Sequence, residues 1–414
     1  MLTVRLPHSG YVSVKADVRP TSTSNRVIAI AGASVAGVRC ATALRDQGFQ
    51  GELVLLDSEE GSPYDKPQLS KRIHTGDELN LIVEKSVLVE RGITFRPGVT
   101  ATGLDVDARV LETSQGSVTF DELIIATGCR PKPLPHPLPA RAGYVRTRQD
   151  WKRLKDAVQR GGHLLVVGGG FLGLEAAAAA TCLGMKVTVV DMAPRILTRG
   201  IPEAAAAVIA SRHAAEGVDF RLSEQNPMLD GDDHQVWIDG TQGHYALASI
   251  GAVPNVEWLA GSRLTIDDGV VCGDGLAVAP GVWAVGDCAR WVNPRYDRLE
   301  RHEHWTTAVR HAQHVAKSIV TGTSSPMVEV PYVWSDQFDL KIQSVGRVGT
   351  EELHFVSESG GHVVISATDD RVSGVTTINA QALCLKSRQL LKTDDPAVHR
   401  VIETLGLADF THVS

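Results

Sequence analysis

Hydrophobic and polar positions along the chain alternate between two formats: a short, continuous apolar run, and a longer stretch with helical spacing. Residues 27–31 (Val-Ile-Ala-Ile-Ala) form such an apolar run, and residues 38–47 show the three- and four-residue spacing of a helix. A second apolar run, 53–56, follows and ends on Asp57. This pattern predicts a strand, a helix and a second strand parallel to the first, which is a βαβ unit.

The segment between the first strand and its helix carries glycines at both ends, Gly32 and Gly37. The first would let the chain turn sharply off the strand, and the second would let the helix pack close to the sheet. The helix N-terminus would then offer N–H groups to a pyrophosphate, and Asp57, about twenty residues on, would accept hydrogen bonds from ribose hydroxyls. Ser34 replaces the middle glycine of the usual pattern. Its side chain could crowd the pyrophosphate, or its hydroxyl could donate a hydrogen bond to a phosphate oxygen. We expect the site to accommodate the serine without losing the dinucleotide.

The same format occurs a second time, and here the glycine pattern is complete. Residues 164–167 predict a strand, residues 174–183 an alanine-rich helix, and residues 187–190 a second strand that ends on Asp191. The turn between strand and helix reads G-x-G-x-x-G over residues 168–173. Every structural condition for a dinucleotide-binding fingerprint is therefore met.

The remaining pattern adds further elements. Residues 203–215 predict a helix, residues 248–255 a single apolar strand, and residues 304–319 another helix. The stretch 282–289 repeats the format of a strand followed by glycine and acid, here Gly286-Asp287. Two stretches read as irregular or local structure: the proline-rich loop 62–72, which we expect to lack a regular element, and the leader 2–15, which reads as a hairpin around 7–10 before a polar linker at 21–25.

From residue 325 the pattern changes to short alternating strands followed by a helix. These elements are predicted at the following positions: 340–348, 354–356, 362–367, 375–379 and the helix 380–391. The end of the chain therefore reads as a separate α+β domain.

Composition narrows the class of protein. A chain of 414 residues with 43% hydrophobic and 21% charged residues predicts a globular protein of two or three domains. The net charge of −7 argues against nucleic acid as a principal partner. No apolar run reaches membrane-spanning length, and the leader does not read as a secretory signal.

The cysteines predict no disulfide framework and no metal centre. The six are scattered without C-x-x-C spacing, which favours reduced, buried thiols in a cytoplasmic protein. His311 and His314 would share a helix face, but no carboxylate or thiolate completes a compact set. We therefore expect packed or solvated histidines.

Taken together, the motifs resemble the FAD-dependent, NADH-dependent ferredoxin reductases that serve bacterial haem monooxygenases and Rieske dioxygenases. Apoptosis-inducing factors and pyridine-nucleotide-disulfide reductases share this architecture. Family members usually have arginine at the position of Lys66 and proline at that of Gln68. The resemblance covers residues 25–395 and is carried by the two glycine turns and these stretches: 63–71, 126–128, 251–255, 286–289, 301–305 and 334–339.

The resemblance implies two doubly wound, Rossmann-like domains of the glutathione-reductase kind and a C-terminal α+β domain. The expected division is a leader at 1–24, an FAD-binding domain at 25–129 and 250–325, an NADH-binding domain at 130–249, and the C-terminal domain at 326–414. It implies these cofactor-binding residues: Gly32, Ser34, Gly37, Asp57, Lys66, Lys71, Ala126, Thr127, Gly128, Gly168, Gly170, Phe171, Leu172, Gly173, Glu175, Asp191, Gly251, Gly286, Asp287, Trp305 and Trp334.

Within that set, the resemblance implies specific roles. Asp57 would hold the FAD ribose and Asp287 the ribityl chain, while Asp191 would accept from the NADH ribose and repel a 2′-phosphate. Arg195, four residues further on, could instead bind such a 2′-phosphate, or it could be an ordinary surface charge. Lys71 and Glu175 match a catalytic pair beside the flavin's reducible nitrogen.

Trp305 matches a tryptophan between the flavin and the docking face, and it completes the implied catalytic residues. The implied partner is an acidic ferredoxin or similar iron–sulfur protein, docking near Trp305 and three arginines, Arg72, Arg298 and Arg301. A solvated loop surface is the alternative for these arginines. The resemblance leaves a monomer or a homodimer open.

Two other functions remain as alternatives. A redox-sensing or scaffolding flavoprotein of the apoptosis-inducing-factor kind would share every motif above. A disulfide or peroxide reductase would need a redox cysteine near the flavin. Cys40 falls inside the first predicted helix, and the loop through Ser70 and Lys71 contains no cysteine, which argues against that chemistry.

Overall fold

The computed structural model describes residues 2–5, 11–14, 25–76, 78–225, 227–392 and 396–413. The chain forms two compact units. The first comprises the described residues of Met1–Asp65, Asn80–Arg130 and Val253–Glu329, and the second those of Lys66–Leu79, Pro131–Ala252 and Val330–Ser414. The division into a leader and three domains with the boundaries given above remains a prediction.

Helices of the described residues are numbered here in chain order. They are α1 Val35–Asp46, α2 Gln68–Lys71, α3 Lys85–Glu90, α4 Arg148–Gln159, α5 Phe171–Cys182, α6 Glu203–Ala215, α7 Trp305–Thr321, α8 Gln381–Leu390 and α9 Val398–Leu405.

The first unit is built on a six-stranded sheet. Its strands lie in the order Ala277–Ala279, Val282–Ala284, Glu122–Ile125, Val27–Ala31, Glu52–Asp57 and Ile93–Pro97. Apart from the first strand, neighbouring strands pair in parallel. Ile28, Ile30, Leu53 and Leu55 are all fully buried, as expected of a parallel sheet that is covered on both faces.

Smaller sheets complete the first unit. They are Ala101–Asp105, Val110–Thr113 and Gly116–Thr119; Val270–Cys272, Ala289–Asn293 and Arg298–Glu300; and the hairpin Leu2–Arg5 and Tyr11–Val14. The predicted leader hairpin is thereby confirmed for its strands, which pair antiparallel. Its turn at 7–10 and most of the linker at 21–25 lie outside the described residues.

The second unit repeats the parallel format. Its five strands lie in the order Ala142–Gly143, Tyr245–Ala248, His163–Val167, Lys186–Val190 and Asp219–Arg221, all paired in parallel. The residues between the last two strands along the chain, Asp219–Arg221 and Tyr245–Ala248, form a separate three-stranded sheet. Its strands are Leu229–Gly231, Val236–Ile238 and Thr241–Gly243. Cys129–Pro131 and Ala252–Pro254 pair with each other where the chain passes from one unit to the other.

The C-terminal part of the second unit is an antiparallel sheet with helices, as predicted. Its strands lie in the order Tyr332–Gln337, Leu340–Gly346, Arg371–Ile378, His362–Thr368, Glu351–Val356 and Thr411–Val413. The predicted fold class, two Rossmann-like sheets plus a C-terminal α+β domain, is confirmed. Leu340, Ile342 and Val364 of this sheet share one buried cluster with Leu174 and Ile209 of α5 and α6.

Two predictions of local structure were wrong, and two elements were missed. Residues 248–255 form two strands rather than one, because the chain breaks at Gly251, where φ is +112°. The loop 62–72 contains the short helix α2, since Pro67 stands at its N-cap, where a missing N–H costs nothing. The strand Tyr332–Gln337 and the helix α9 were not predicted.

Within the described residues, no helix combines the length and apolar character that crossing a membrane requires.

One contact ties the C-terminal sheet to the five-stranded half of the second unit. The Glu352 carboxylate accepts from the N–H groups of Glu203, at 2.8 Å, and Ala204, at 3.0 Å. Helix α6 has no side-chain cap of its own, because its N-cap is Pro202. Glu352 therefore supplies from another strand the acceptor and the negative charge that a helix N-terminus favours.

We expect Glu352→Ala to lower the free energy of unfolding by about 1 kcal/mol, since two N–H groups lose their acceptor. Urea denaturation measures the loss. Glu351→Ala, the adjacent exposed position on the same strand, is the matched control and is expected to change stability little. Equal losses in the two variants would contradict the capping role.

Candidate functional site

The first glycine turn, in the first unit, leaves no room for side chains at its two ends. Gly32 has φ of +110°, and a Cβ there would lie 2.3 Å from the Ala126 carbonyl oxygen. A Cβ on Gly37 would lie 1.8 Å from the carbonyl oxygen of Gly32. Both glycines are therefore required for the strand, the turn and helix α1 to pack as they do.

The second glycine turn, in the second unit, repeats this packing. Gly168 has φ of +108°, and a Cβ there would lie 2.4 Å from the Ser249 carbonyl oxygen. A Cβ on Gly173 would lie 2.3 Å from the carbonyl oxygen of Gly168. A Cβ on Gly170 would meet nothing within 4 Å, so this glycine faces open space in front of helix α5.

Ser34 occupies in the first turn the place that Gly170 occupies in the second. Each is the N-cap of its helix, with φ and ψ of −80° and −165° at Ser34 and of −81° and 178° at Gly170. This conformation is open to any residue, so serine costs no backbone strain. The Ser34 hydroxyl makes no capping hydrogen bond to α1 and is available to a ligand.

These two turns fit a dinucleotide. In each, the first N–H groups of the helix have no acceptor within the helix, and they open onto the turn. The positive end of the helix dipole favours a pyrophosphate there. Phe171 and Leu172, the first residues of α5, are half-buried beside the second turn.

An acid stands at the end of the neighbouring strand in each sheet. Asp57 ends the strand that follows α1, and its carboxylate accepts from the N–H of Glu59 at 3.2 Å. Asp191 directly follows the strand after α5. Its carboxylate accepts from Gly169 N–H at 2.6 Å and from Ala193 N–H at 2.8 Å. Asp191 is thus held against the glycine turn itself.

Arg195 is engaged in the local fold rather than held towards a ligand. Its guanidinium donates to the carbonyl oxygens of Ile196, at 3.1 Å, Leu197, at 3.2 Å, and Ile201, at 3.3 Å. The sequence left two roles open for Arg195, a phosphate ligand or a surface charge. The geometry favours neither of them. It assigns Arg195 to the turn that follows Asp191.

The stretch Ala126-Thr127-Gly128 is fastened to Asn255 in the first unit. Thr127 Oγ1 donates to the Asn255 carbonyl oxygen at 2.7 Å, and Asn255 Nδ2 donates to the Thr127 carbonyl oxygen at 3.0 Å. Asn255 N–H donates to the Gly128 carbonyl oxygen at 2.9 Å. Gly128 has φ of +64°. The stretch beside Gly32 is therefore rigid.

Asp287 lies in a tight turn, Gly286–Cys288, that three neighbours position. The Cys129 thiol donates to Asp287 Oδ2 at 3.3 Å, and Arg301 donates to the Asp287 carbonyl oxygen at 3.1 Å. Gly286 N–H donates to His311 Nδ1 at 3.3 Å. A Cβ on Gly286 would lie 3.0 Å from Ala36 Cβ, so this turn packs against helix α1.

Trp305 is the first residue of helix α7 and is half-buried. Its indole Nε1 donates to Asp65 Oδ1 at 2.9 Å, and both residues belong to the first unit. The loop that contains Asp65 thereby fixes the orientation of the ring.

Lys71 and Glu175 form an ion pair within the second unit. Lys71 Nζ lies 2.7 Å from Glu175 Oε1, and the two side chains are 18% and 7% exposed. Asp336 Oδ2 is 3.7 Å from the same ammonium group. The sequence suggested the pair by resemblance, and the structure brings its members into contact. What the pair does chemically remains a proposal.

Three further predicted residues have individual surroundings in the second unit. Lys66 Nζ donates to the Arg146 carbonyl oxygen at 3.3 Å. Trp334 is half-buried and stacks on Tyr332, with ring centroids 6.2 Å apart. Gly251, with φ of +112°, lies close to the exposed Arg199.

The histidines of helix α7 and the segment before it form a buried aromatic cluster. The rings of His302 and His304 stack with centroids 5.4 Å apart, and Trp291 contacts both His302 and His311 edge-on. Burial lowers the pKa of His302 and of His304 to about 4, and it also lowers the pKa of His311 well below its ordinary value. Within the described residues, no group of three or more histidine, cysteine or acidic side chains could hold a metal ion.

The cysteine of helix α1 does not offer an activated nucleophile for disulfide chemistry. All six cysteines are free, and Cys182 is exposed, so the expectation that all are buried was wrong. Burial raises the pKa of the Cys40 thiol well above its usual range, and its Sγ donates to the Ala312 carbonyl oxygen at 3.6 Å. A reactive thiol needs a lowered pKa, so Cys40 is a packed residue of helix α1.

Sequence reasoning gave no role to five residues that the structure places in contact with the predicted ones. The list is Asp65, Ser70, Asn255, Cys129 and Ser335. All of them except Cys129 lie inside the stretches that carry the family resemblance, and that resemblance was the signal that could have found them. Their partners are distant in the chain, so no spacing rule could have paired them.

These features define a class of protein: an oxidoreductase that binds two dinucleotides on two parallel sheets and carries an antiparallel C-terminal domain. The chain matches the family model described as pyridine nucleotide-disulphide oxidoreductase over residues 26–312, and the model described as reductase C-terminal over residues 332–403. It belongs to the pyridine nucleotide-disulphide oxidoreductase family.

Two relatives and one solved structure illustrate the similarity. Rhodocoxin reductase of Rhodococcus erythropolis is 31% identical over 89% of this chain and 90% of its own. The ferredoxin–NAD(+) reductase component of the p-cumate 2,3-dioxygenase system of Pseudomonas putida is 33% identical over 88% and 93%. The structure titled covalent putidaredoxin reductase–putidaredoxin complex has a TM-score of 0.85 at 28% identity, covering 91% of this chain and 96% of that one.

The buried histidines predict acid sensitivity. His302 and His304 titrate near pH 6.5 when unfolded and near pH 4 when folded, so the unfolded chain binds more protons between these values. Their contribution to stability is complete above pH 6.5 and is lost as the pH falls from 6.5 to 4. The loss amounts to as much as about 3 kcal/mol for each imidazole.

Urea denaturation at pH 7.5 and at pH 4.5 measures this difference. We expect His304→Gln to flatten the pH dependence of the unfolding free energy. His399→Gln, at an exposed position of helix α9, is the matched control and should leave the slope unchanged. A slope that His304→Gln does not reduce would rule out this histidine as its source.

Proposed function

We propose that this protein is an NADH-dependent ferredoxin reductase that uses FAD. It would pass electrons from NADH through FAD to a [2Fe–2S]-type ferredoxin, or a similar iron–sulfur protein, that serves an oxygenase. The observation that carries the proposal is the pair of glycine turns, each followed by a carboxylate at the end of the next strand. The names of the similar proteins, which include a ferredoxin–NAD(+) reductase component, support the choice of acceptor.

The first unit would hold FAD. Helix α1 would receive the pyrophosphate, with the Ser34 hydroxyl as an additional donor, and Asp57 would receive the adenosine ribose. Asp287, held by the Cys129 thiol at 3.3 Å, would receive the ribityl chain. The chemistry that bound FAD would supply is uptake of two electrons as a hydride and their release one at a time. The residues supply position and charge.

The second unit would hold NADH. Helix α5 would receive the pyrophosphate over Gly170, where space is open. Asp191 would accept from the adenosine ribose hydroxyls and repel a 2′-phosphate. Because Arg195 is committed to the carbonyl oxygens of Ile196, Leu197 and Ile201, it would not offset that repulsion. NADH is therefore the preferred donor.

Lys71 and Glu175 would serve the reacting end of the cofactors. The Lys71 ammonium would stabilise negative charge that develops on the reduced ring, and Glu175 would hold Lys71 and orient the carboxamide. Their ion pair of 2.7 Å, with little exposure of either side chain, gives the lysine one defined position.

The partner would be an acidic iron–sulfur protein that docks near Trp305, Arg72, Arg298 and Arg301. Arg298 is exposed, and it is the strongest candidate of the three arginines for contact with the partner. Arg301 already pairs with Asp268 at 3.3 Å and with Glu303 at 2.8 Å, so it would act mainly on the Asp287 turn. The cytoplasmic location expected from the cysteines is part of the same proposal.

Stopped-flow kinetics tests the function. We expect NADH to reduce the flavin rapidly and a supplied [2Fe–2S] ferredoxin to reoxidise it over many turnovers. Trp305→Phe should slow electron delivery several-fold while leaving flavin reduction near the wild-type rate, since the indole lies on the proposed electron path. Trp258→Phe, a partly buried tryptophan of the same unit, is the control.

Two outcomes would count against the proposal. Rapid flavin reduction without turnover on any of several ferredoxins and rubredoxins would remove the ferredoxin reductase function. It would favour a sensing or scaffolding flavoprotein, which a long-lived charge-transfer complex with NAD would then support. Equal slowing of both steps in Trp305→Phe would remove Trp305 from the path.

The donor preference gives a further prediction. We expect Asp191→Ala to reduce kcat/KM for NADH by about tenfold or more, and that for NADPH by less, because the repulsion of the 2′-phosphate is lost as well. Steady-state kinetics with both donors measures the ratio. Asp219→Asn, at the opposite end of the neighbouring strand, is the control. An unchanged ratio in Asp191→Ala would remove Asp191 from donor selection.

A further inference from the structure

The Glu175 carboxylate has other hydrogen-bond partners besides Lys71. Its Oε2 accepts from the Ser70 hydroxyl at 2.5 Å, and its Oε1 accepts from Lys71 at 2.7 Å and from the Ser335 hydroxyl at 2.5 Å. Ser70 and Lys71 come from helix α2, whereas Ser335 comes from the C-terminal strand Tyr332–Gln337. Both oxygens of a buried carboxylate are thus held by donors from two parts of the second unit.

The hydrogen bonds behind Ser335 all run in one direction. Gln337 Nε2 donates to Ser335 Oγ at 3.0 Å, and because an amide nitrogen only donates, the serine proton is directed to Glu175. Gln337 Oε1 then accepts from His213 Nε2 at 2.8 Å. Every donor in the chain from His213 to Glu175 points towards the carboxylate.

This chain is closed to solvent. Ser335 and His213 have no exposed surface, Gln337 is 1% exposed and Glu175 is 7% exposed. Burial lowers the pKa of His213, which keeps its imidazole neutral at pH 7. Hydrogen bonds in such surroundings are strong and difficult to replace by water.

From this geometry we propose that Ser335, fixed by Gln337 and His213, is a positioning residue for Glu175. The C-terminal domain would thereby set the orientation of the Lys71–Glu175 pair. Without the Ser335 hydroxyl, Lys71 would be the only partner left to Glu175 Oε1 among the described residues, and that ammonium also lies 3.7 Å from Asp336. The pair would then relax towards Asp336. The inference rests on the proposed function, because it concerns the pair assigned to hydride transfer.

A purely structural role for Ser335 has a matched comparison in the same sheet. Ser344, on the adjacent strand Leu340–Gly346, is 7% exposed, and its hydroxyl bonds to that of Thr376 at 2.9 Å. Ser344→Ala therefore removes a buried hydroxyl from the same sheet without touching the chain that ends on Glu175. If Ser335 positions Glu175, Ser335→Ala must slow flavin reduction more than Ser344→Ala does.

The test compares flavin reduction by NADH in the FAD-loaded full chain of three variants. Ser335→Ala should lower the limiting reduction rate about tenfold, as expected for a lost hydrogen bond to a charged group, with FAD content unchanged. Gln337→Met should lower it about threefold. Ser344→Ala should stay within about twofold of the wild type while losing a similar amount of thermal stability.

A double-mutant cycle makes the readout specific. In a Glu175→Gln background, Ser335→Ala should slow reduction less than about twofold, because the carboxylate that it positions is already gone. A full tenfold effect in that background would overturn the inference, as would a Ser335→Ala rate no lower than that of Ser344→Ala. If Ser335→Ala does not fold, Gln337→Met carries the same cycle.

The same experiment separates this inference from the proposed function. A wild type that retains FAD but is not reduced by NADH overturns the function, and the inference with it. A wild type that NADH reduces rapidly, with the serine variants indistinguishable, leaves the function standing and overturns the positioning role alone.

Discussion

The close approach of each glycine turn to the neighbouring strand is the constraint on which both nucleotide-binding sheets depend. At Gly32 and at Gly168, a single added carbon would lie within 2.4 Å of a carbonyl oxygen just past the end of the neighbouring strand of the sheet. That approach brings the helix N-terminus to the carboxyl end of the sheet, where its unsatisfied N–H groups can meet a phosphate. A side chain at either position would force the backbone of the turn or of the neighbouring strand to shift.

The same comparison explains why serine is tolerated at position 34. The outer glycines are fixed by internal packing, but the middle position of the turn faces outwards, as the open space at Gly170 shows. Ser34 has the backbone conformation of Gly170, and its hydroxyl makes no capping bond within the protein. A departure from the usual pattern at this position therefore changes what a ligand meets and leaves the turn intact.

Sequence reasoning reached the parallel sheets because their signals are local. The apolar runs, the glycines and the closing acids all lie within about thirty residues of one another, and helix α6 was predicted with its observed ends. It failed where the deciding contact is distant. Helix α2 forms although two prolines closely precede it, and its Ser70 and Lys71 contact Glu175 more than a hundred positions away. No pattern of spacing encodes such a pairing.

The distant contacts also explain why the C-terminal domain is more than an appended sheet. Its inner strands share a buried cluster with α5 and α6, Glu352 caps α6, and Ser335 bonds to Glu175 of α5. Helix α5 begins at the turn proposed to bind NADH and carries Glu175 one turn further on. One helix therefore joins the proposed nucleotide site to the proposed reacting pair, and the C-terminal sheet holds that helix through both apolar packing and a directed chain of hydrogen bonds. A fold that placed the sheet elsewhere would leave a buried carboxylate with fewer donors, which costs stability, so the contacts proposed to position the reacting pair also stabilise the fold.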